Sequence, residues 1–327
     1  MTDHSIKYIY WELSNYCNLH CLHCFAHATN KIETIVPKQY LFDAIDNLHN
    51  QHPIPAIRFG GGEPFLVDYI LELIQFCTKR KIDVDVTTNG LLLTPLFVDK
   101  LSHTGLHEIT VSIDGLEDTH NQIRGKQTYQ KSKEAIKRLL SHIEFTVSVS
   151  FTVTRINYSE IRRFVEEFSS IGIRKFYFFR YCGNNNRKVF DLELEHLLSA
   201  ASDINHLSSH YKDYKFIHEK AGFYTFLNTG LQYCEGCNFA NGIITIDYKG
   251  NVIVCAAIDK VIGNIYHEEI DKLYQKIILE QSHIKAIPQE CRQCQFQLSC
   301  HGGCKAESYL KSHNYYTKDP LCLKDHC

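Results

Sequence analysis

The sequence predicts an α/β protein: six parallel strands crossed by helices, closing as a partial (β/α)6, TIM-like barrel, with a small cysteine-rich module after it. Three observations predict this. Strand-like and helix-like runs alternate through the first 180 residues. A helix follows each of the first five strands, the pattern of right-handed parallel crossovers. Finally, the cysteines, 14 in 327 residues, crowd into one short N-terminal stretch and the region beyond residue 231. Periodicity alone leaves an open sheet as the alternative to a barrel.

Residues 6–13 combine aromatic and β-branched side chains and read as the first strand; 40–49 reads as a helix. Residues 56–59 form a short buried strand ending in three glycines, and 67–79 a helix with a broad apolar face. The third strand, 82–87, runs into Asn89-Gly90, and 95–102 is a short helix behind a proline. Residues 108–113 form a strand ending at Asp114-Gly115, followed by a helix over 129–140. The alternating, β-branched 145–153 is the fifth strand, 158–169 a helix and 173–180 the sixth strand. Beyond Arg180, CGNNNR is a loop by composition, and 191–210 is helical. One hairpin, 242–247 with 252–255, turns at Lys249-Gly250-Asn251. These breaks divide the chain into 5–180, a bridge 181–230, and 231–327.

Composition narrows the chemistry. Lys and Arg total 35 against 37 Asp and Glu, so affinity for nucleic acid through a strongly basic body is not expected. No run approaches the 18 apolar residues of a membrane span, and the N-terminus shows no secretion leader. A cytoplasmic protein is expected, and many cysteines in a reducing compartment point to metal or redox chemistry.

Cys17-Asn-Leu-His-Cys21-Leu-His-Cys24 follows the first strand, at the face where barrel loops carry catalysis. Given this cysteine usage, C-x3-C-x2-C is expected by chance about 0.03 times in such a chain, so the spacing is informative. Spacing alone leaves open a zinc site of three cysteines and one of His20, His23 or His27. CNLHCLHC also resembles the signature of the radical S-adenosylmethionine superfamily. There, three cysteines hold a [4Fe–4S] cluster with one open iron, which S-adenosylmethionine chelates. Reductive cleavage then yields a 5′-deoxyadenosyl radical that abstracts a substrate hydrogen. His23 stands where the family usually has an aromatic ring, and packing is its expected role.

Further segments carry the resemblance at the ends of later strands. Gly60-Gly61-Gly62-Glu63-Pro64 is similar to the family's GGEP motif, which holds the methionyl ammonium. Asn89 ends the third strand region. Ser112-Ile113-Asp114-Gly115 resembles the SxDG segment of the ribose and carboxylate pocket. His120 to Gly125 resembles the HxxxRG stretch, in which Arg124 could pair with a carboxylate. Phe25 is expected beside the adenine. The resemblance thus implies a cofactor pocket of Phe25, Gly61, Gly62, Glu63, Asn89, Ser112, Asp114 and Arg124.

The C-terminal pattern is more specific. Cys237-x12-Gly250-x4-Cys255, then Cys291-x2-Cys294-x5-Cys300-x3-Cys304 and Cys322, resembles the seven-cysteine SPASM signature of a radical S-adenosylmethionine subgroup. A zinc ribbon is the alternative. The resemblance implies two auxiliary [4Fe–4S] clusters, which need eight thiolates. Cys234 is the expected eighth, making one set of Cys234, Cys237, Cys255 and Cys304 and another of Cys291, Cys294, Cys300 and Cys322. Cys327 is left out as a terminal residue, and Cys77 is expected to be a core thiol.

The resemblance implies an enzyme that modifies a ribosomally made peptide or protein by cross-link, thioether, epimerisation or oxidation. A small-molecule dehydrogenase or epimerase of a natural-product or cofactor pathway is the alternative, and a non-catalytic Fe–S carrier a third. A cluster loop at residue 17 leaves no room before it for a fused peptide-recognition domain, so a separate recognition protein is expected if a leader peptide is bound. A flavodoxin- or ferredoxin-type electron donor is implied. Anaerobic sulfatase-maturating enzymes carry Asp after the cysteine matching Cys255; here it is Ala256, which argues against that activity. Lastly, Cys182 replaces the proline common after the sixth strand in related sequences. A thiol there could return a hydrogen atom to a substrate radical, as in epimerases of the superfamily; a buried structural thiol is the alternative.

Overall fold

The protein is described from a computed structural model over residues 6–26, 28–31, 36–183, 186–218 and 236–322. Its first half alternates β1 (Tyr8–Glu12), α1 (Lys38–Gln51), β2 (Ala56–Gly60), α2 (Ile70–Thr78), β3 (Asp83–Thr88), α3 (Pro95–Ser102) and β4 (Glu108–Ser112). Then follow α4 (Glu117–Arg124), α5 (Thr128–Leu139), β5 (Thr146–Val153), α6 (Ile161–Ser170) and β6 (Lys175–Arg180). Beyond them lie α7 (Arg187–Phe190), α8 (Leu194–His210) and β7 (Lys215–His218). The C-terminal part holds β8 (Ile243–Ile246), β9 (Asn251–Cys255), β10 (Ile258–Asn264), α9 (Ile270–Lys285), α10 (Gln297–Cys300) and α11 (Lys305–Ser312).

The six expected strands are present and pair in parallel in sequence order. Seven elements go beyond the sequence reading, the short α7, α10 and α11 among them. α4 shows little apolar periodicity, since only His120 and Ile123 of its residues are buried. β7 is four residues that extend the sheet beside β6. β10 returns beside β9, and α9 buries Ile270, Leu273, Ile277 and Ile284 at helical spacing. The sheet therefore has ten strands in the order β10-β9-β8-β1-β2-β3-β4-β5-β6-β7. The expected hairpin is not a separate layer: β8 pairs in parallel with β1, from Tyr8↔Ile243 to Trp11↔Ile246. Gly250 sits at φ 81°, and a Cβ there would lie 2.2 Å from the Tyr266 ring, so the hairpin turn requires glycine.

Side-chain contacts fix the curvature. Arg58 on β2 donates to Tyr177 Oη on β6 at 3.0 Å. Those strands are four positions apart, about 19 Å on a flat sheet, so the sheet curls into a partial barrel. Alternation then sorts each strand. Ile9, Phe59, Val86, Val111, Phe151 and Phe178 face the helices and form the core. The opposite parity, facing the lumen, is polar: Tyr8, Tyr10 and Glu12 on β1, Ser112 on β4, and Ser148, Ser150 and Thr152 on β5.

The lumen's lower end is closed by a charged network. Arg58 donates to Asp85 at 3.1 Å, and Tyr8 Oη donates to the same carboxylate at 2.7 Å. Glu108 accepts from Lys175 Nζ at 2.5 Å, Ser148 Oγ at 2.6 Å and Tyr177 Oη at 3.1 Å. Burial alone would push the Asp85 carboxyl up; Arg58, His107 and Tyr8 hold it below its ordinary value. Replacing Arg58 by Met removes the buried cation that faces Asp85, while Glu108 keeps Lys175, and breaking such a buried pair costs about 3–5 kcal/mol. The expected result is a clear fall in the anaerobic unfolding midpoint, and an unchanged midpoint would show that the network does not brace the barrel. Among the described residues no helix is long and apolar enough to cross a membrane.

Candidate functional site

The upper rim of the barrel gathers the residues singled out by the sequence. The loop after β1 carries Cys17, Cys21 and Cys24, none in a disulfide. It is tied to the loop after β2: Gly62 N donates to Ser14 O at 2.7 Å, and Glu63 N to Tyr16 O at 2.9 Å. A Cβ on Gly62 would lie 2.0 Å from Tyr16 O, and Gly61 adopts φ 104°. The two glycines thus allow the backbone of one loop to lie directly on the other.

Glu63 is 1% exposed. Its carboxylate accepts from Thr88 Oγ1 at 2.7 Å, Asn89 N at 2.9 Å and Phe65 N at 3.2 Å. Burial outweighs these donors and pushes its carboxyl up to about 7. A ligand cation would favour the ionised form. Asn89 Nδ2 donates to Asn18 Oδ1 at 2.7 Å and lies 4.0 Å from Cys17 Sγ. Leu19 N points at the same sulfur, 3.4 Å away.

The Asp114 carboxylate is fully buried and held by protein groups. His23 Nε2 lies 2.7 Å from it, Thr152 N donates at 2.9 Å, and Arg124 Nε forms a short charged hydrogen bond. Burial opposes ionisation, yet Arg124 and then His23 hold its carboxyl well below the usual carboxylate range. Asp114 therefore reaches the pocket through Arg124, whose Nη1 lies 3.9 Å from Cys21 Sγ. The carboxylate that Arg124 meets is one of the chain's own. His23, as expected, packs, with its ring 6.1 Å from that of Phe190. Burial and Arg124 lower His120 to about 3, so it is neutral and accepts from Asp114 N at 3.3 Å. Ser112 Oγ meets Ser150 Oγ at 3.3 Å, and Phe25 is 36% exposed on the cluster loop.

These residues fit an iron–sulfur cluster. Burial pushes the thiols up, Cys17 to about 11 and Cys21 to about 12, so metal must displace their protons. Three groups aimed at the sulfurs are donors or cations, Leu19 N, the Asn89 amide and Arg124, beside the acceptor Asn18 Oδ1, 3.9 Å from Cys17 Sγ. Among the described residues, the metal-competent triplets within 4.8 Å are Asp85–His107–Glu108 and Glu193–Glu195–His196. No cysteine triplet is as compact as ligands of one zinc at about 2.3 Å would be, whereas a four-iron cube holds its thiolates further apart.

The C-terminal cysteines fall into two neighbourhoods. Cys237 interacts electrostatically with Cys255 and Cys304. Cys291 does so with Cys322 and Cys294, and Cys300 with Cys322 and Cys291. Between them lies Lys305, 1% exposed, whose Nζ has no hydrogen-bond partner among the described residues. Burial lowers it, while Cys237, Cys291, Cys300 and Cys304 act in the opposite direction. A buried unpaired ammonium ringed by thiols fits sites that become anionic when loaded. Cys234 and Cys327 lie outside the described residues. Cys77 is a buried core thiol on α2. Cys182 is buried just beyond β6, its thiol hydrogen-bonded with Cys304. That contact, and the position of Lys305, had no signal in the spacing.

Known proteins are similar to this chain. An "AdoMet-dependent heme synthase" of Methanosarcina barkeri is 24% identical over 343 residues, covering 97% of this chain and 96% of the relative. "Mycofactocin maturase MftC" of Mycolicibacterium smegmatis is 30% identical over 166 residues, covering 50% of this chain and 41% of the relative. Among solved structures, Streptococcus suis SuiB bound to its precursor peptide SuiA superposes with a TM-score of 0.80 at 17% identity, covering 97% of this chain and 76% of SuiB. The model of the Radical SAM superfamily matches residues 11–168, the span that holds the three-cysteine loop, Glu63, Asn89, Asp114 and Arg124. With motif, loop geometry and matched span in agreement, residues 11–168 carry a radical S-adenosylmethionine domain, and the chain is a radical S-adenosylmethionine enzyme.

Proposed function

We propose that this enzyme modifies a ribosomally synthesised peptide or protein, and that it carries one S-adenosylmethionine-binding [4Fe–4S] cluster and two auxiliary ones in a SPASM-type module. When bound, the first cluster and S-adenosylmethionine supply the radical chemistry. The chain's own residues do the rest. Cys17, Cys21 and Cys24 would hold that cluster, with Asn89 and Arg124 against their sulfurs. Glu63 would accept from the methionyl ammonium, and Phe25, Ser112 and the glycines would line the remainder of the pocket. Residues 5–180 serve as barrel, 181–230 as bridge and 231–327 as auxiliary module, in the cytoplasm. The reductant is of flavodoxin or ferredoxin type, and a separate protein can present a leader peptide.

The polar lumen carries the choice of substrate. Tyr10, Glu12, Ser112, Ser150 and Thr152 offer hydrogen-bonding groups suited to peptide amides. A flat apolar macrocycle would leave such groups unpaired. The maturases among the relatives and the peptide complex of SuiB support the same reading. A small-molecule substrate is the second reading, favoured by the full-length match to heme synthases.

Anaerobic assay with dithionite decides between them. The expected result is 5′-deoxyadenosine formation stimulated by a peptide encoded beside the gene, with a mass or stereochemical change in that peptide. Stimulation by a porphyrin and by no neighbouring peptide would establish the second reading. Replacing Glu63 by Gln places an NH2 group where the carboxylate accepts from Asn89 N or Thr88 Oγ1. Losing one charged hydrogen bond costs about 1.5–3 kcal/mol, so S-adenosylmethionine should bind about ten- to a hundredfold more weakly. Equal affinity by titration calorimetry would remove Glu63 from the pocket.

A further inference from the structure

The segment after β6 is clamped to the start of α11 from both sides. Before Cys182, Arg180 makes a bidentate contact with Asp319, Nη1 to Oδ2 at 2.7 Å and Nη2 to Oδ1 at 3.2 Å. The same Asp319 Oδ2 accepts from Cys304 N at 3.0 Å. After Cys182, Arg187 donates to Gly183 O at 3.2 Å and to Glu307 Oε2 at 3.0 Å. Arg180 is 3% exposed and Glu307 6%, so much of this clamp is shielded from water and tightly defined. It holds Cys182 against Cys304, and the two thiols share a hydrogen bond. Cys304 in turn belongs with Cys237 and Cys255. Lys305, the next residue, brings a buried unpaired ammonium to the same place.

We propose that Cys182 supplies the fourth thiolate of the auxiliary cluster that Cys237, Cys255 and Cys304 would hold. The inference rests on the auxiliary-cluster reading above and replaces Cys234 in the set expected from the sequence. The alternatives for Cys182 are inert packing and hydrogen-atom donation to substrate. Packing alone does not need two charged clamps that set a thiol against a cluster-forming cysteine. A donor to substrate would have to leave Cys304 for the lumen. As two cube ligands, Cys182 and Cys304 must move slightly apart, which a χ1 adjustment of either side chain provides. Both thiols lose their protons on binding.

The test uses the full chain carrying C17A, C21A and C24A, so that only auxiliary iron remains, reconstituted anaerobically with ferrous iron and sulfide. Zinc in place of iron in this parent would sink the auxiliary-cluster reading itself, and the inference with it. With about eight irons in the parent, Cys182→Ala should lose about four, or convert one cluster to a three-iron form seen by EPR in the oxidised protein. Cys182→Ser keeps volume and a ligand atom, and should give an altered EPR spectrum in the reduced protein. Cys234→Ala should leave iron and spectrum unchanged. Full iron with an unchanged spectrum in Cys182→Ala overturns the inference, as does loss of iron in Cys234→Ala. If Cys182→Ala is insoluble, the Cys182→Ser spectrum decides, and an unaltered one overturns it.

Discussion

Replacing Cys17, Cys21 and Cys24 together by alanine is expected to remove about four irons per chain and to abolish 5′-deoxyadenosine formation. These thiols stand on one loop between β1 and α1, and Asn89, Leu19 N and Arg124 beside them offer donors or positive charge in place of ligands. Among the described residues, Cys77 and Cys182 are not positioned to substitute: Cys77 is sealed in the core and Cys182 sits against Cys304. The auxiliary iron should survive, because the C-terminal cysteines form their own neighbourhoods. Iron analysis and chromatography of the nucleoside products give both readouts. Continued cleavage by the triple variant would disprove the assignment of the initiating site.

Arg180→Met is expected to be the most damaging single change outside that loop. Arg180 lies at the end of β6 and joins the barrel to the C-terminal module through Asp319, with Glu307 3.9 Å away. Burial works against its charge, but Asp319 and Glu307 hold the guanidinium's pKa above its ordinary value. Removing the cation leaves Asp319 buried without it, while Glu307 keeps Arg187, at a cost of about 3–5 kcal/mol. It also frees Asp319 from the arrangement that fixes Cys304 N. The variant should lose auxiliary iron and become sensitive to proteolysis near residues 304–322, while the barrel loop keeps its iron. Wild-type iron content and protease resistance would show that Arg180 does not hold the module in place. An Arg180→Lys variant should recover only part of the effect, since one ammonium cannot reproduce the two-point contact.

Much of this protein is legible in its sequence because the relevant signals are local. The spacing Cys17-x3-Cys21-x2-Cys24 sits within one loop, and each barrel strand carries its own alternation. The C-terminal cysteines announce themselves by number and order. Other features are pairings between distant segments, to which no local pattern corresponds. β8 joins β1 across more than 230 residues because the edge of β1 is open and its backbone groups need partners. The Asp114 carboxylate is taken by His23 and Arg124, so a residue read as facing the cofactor acts through another side chain. Lys305 acquires its meaning from Cys237 and Cys291, which only folding brings beside it and its chain neighbours Cys300 and Cys304. Sequence by itself determined the cofactor chemistry and the six parallel strands, since motif spacing and strand alternation are written in neighbouring residues, while the curl into a barrel came from contacts such as Arg58 with Tyr177. Tertiary structure alone decided which cysteines become neighbours, where Cys182 points and what lines the lumen, because buried charges and thiols find partners through packing across the whole chain.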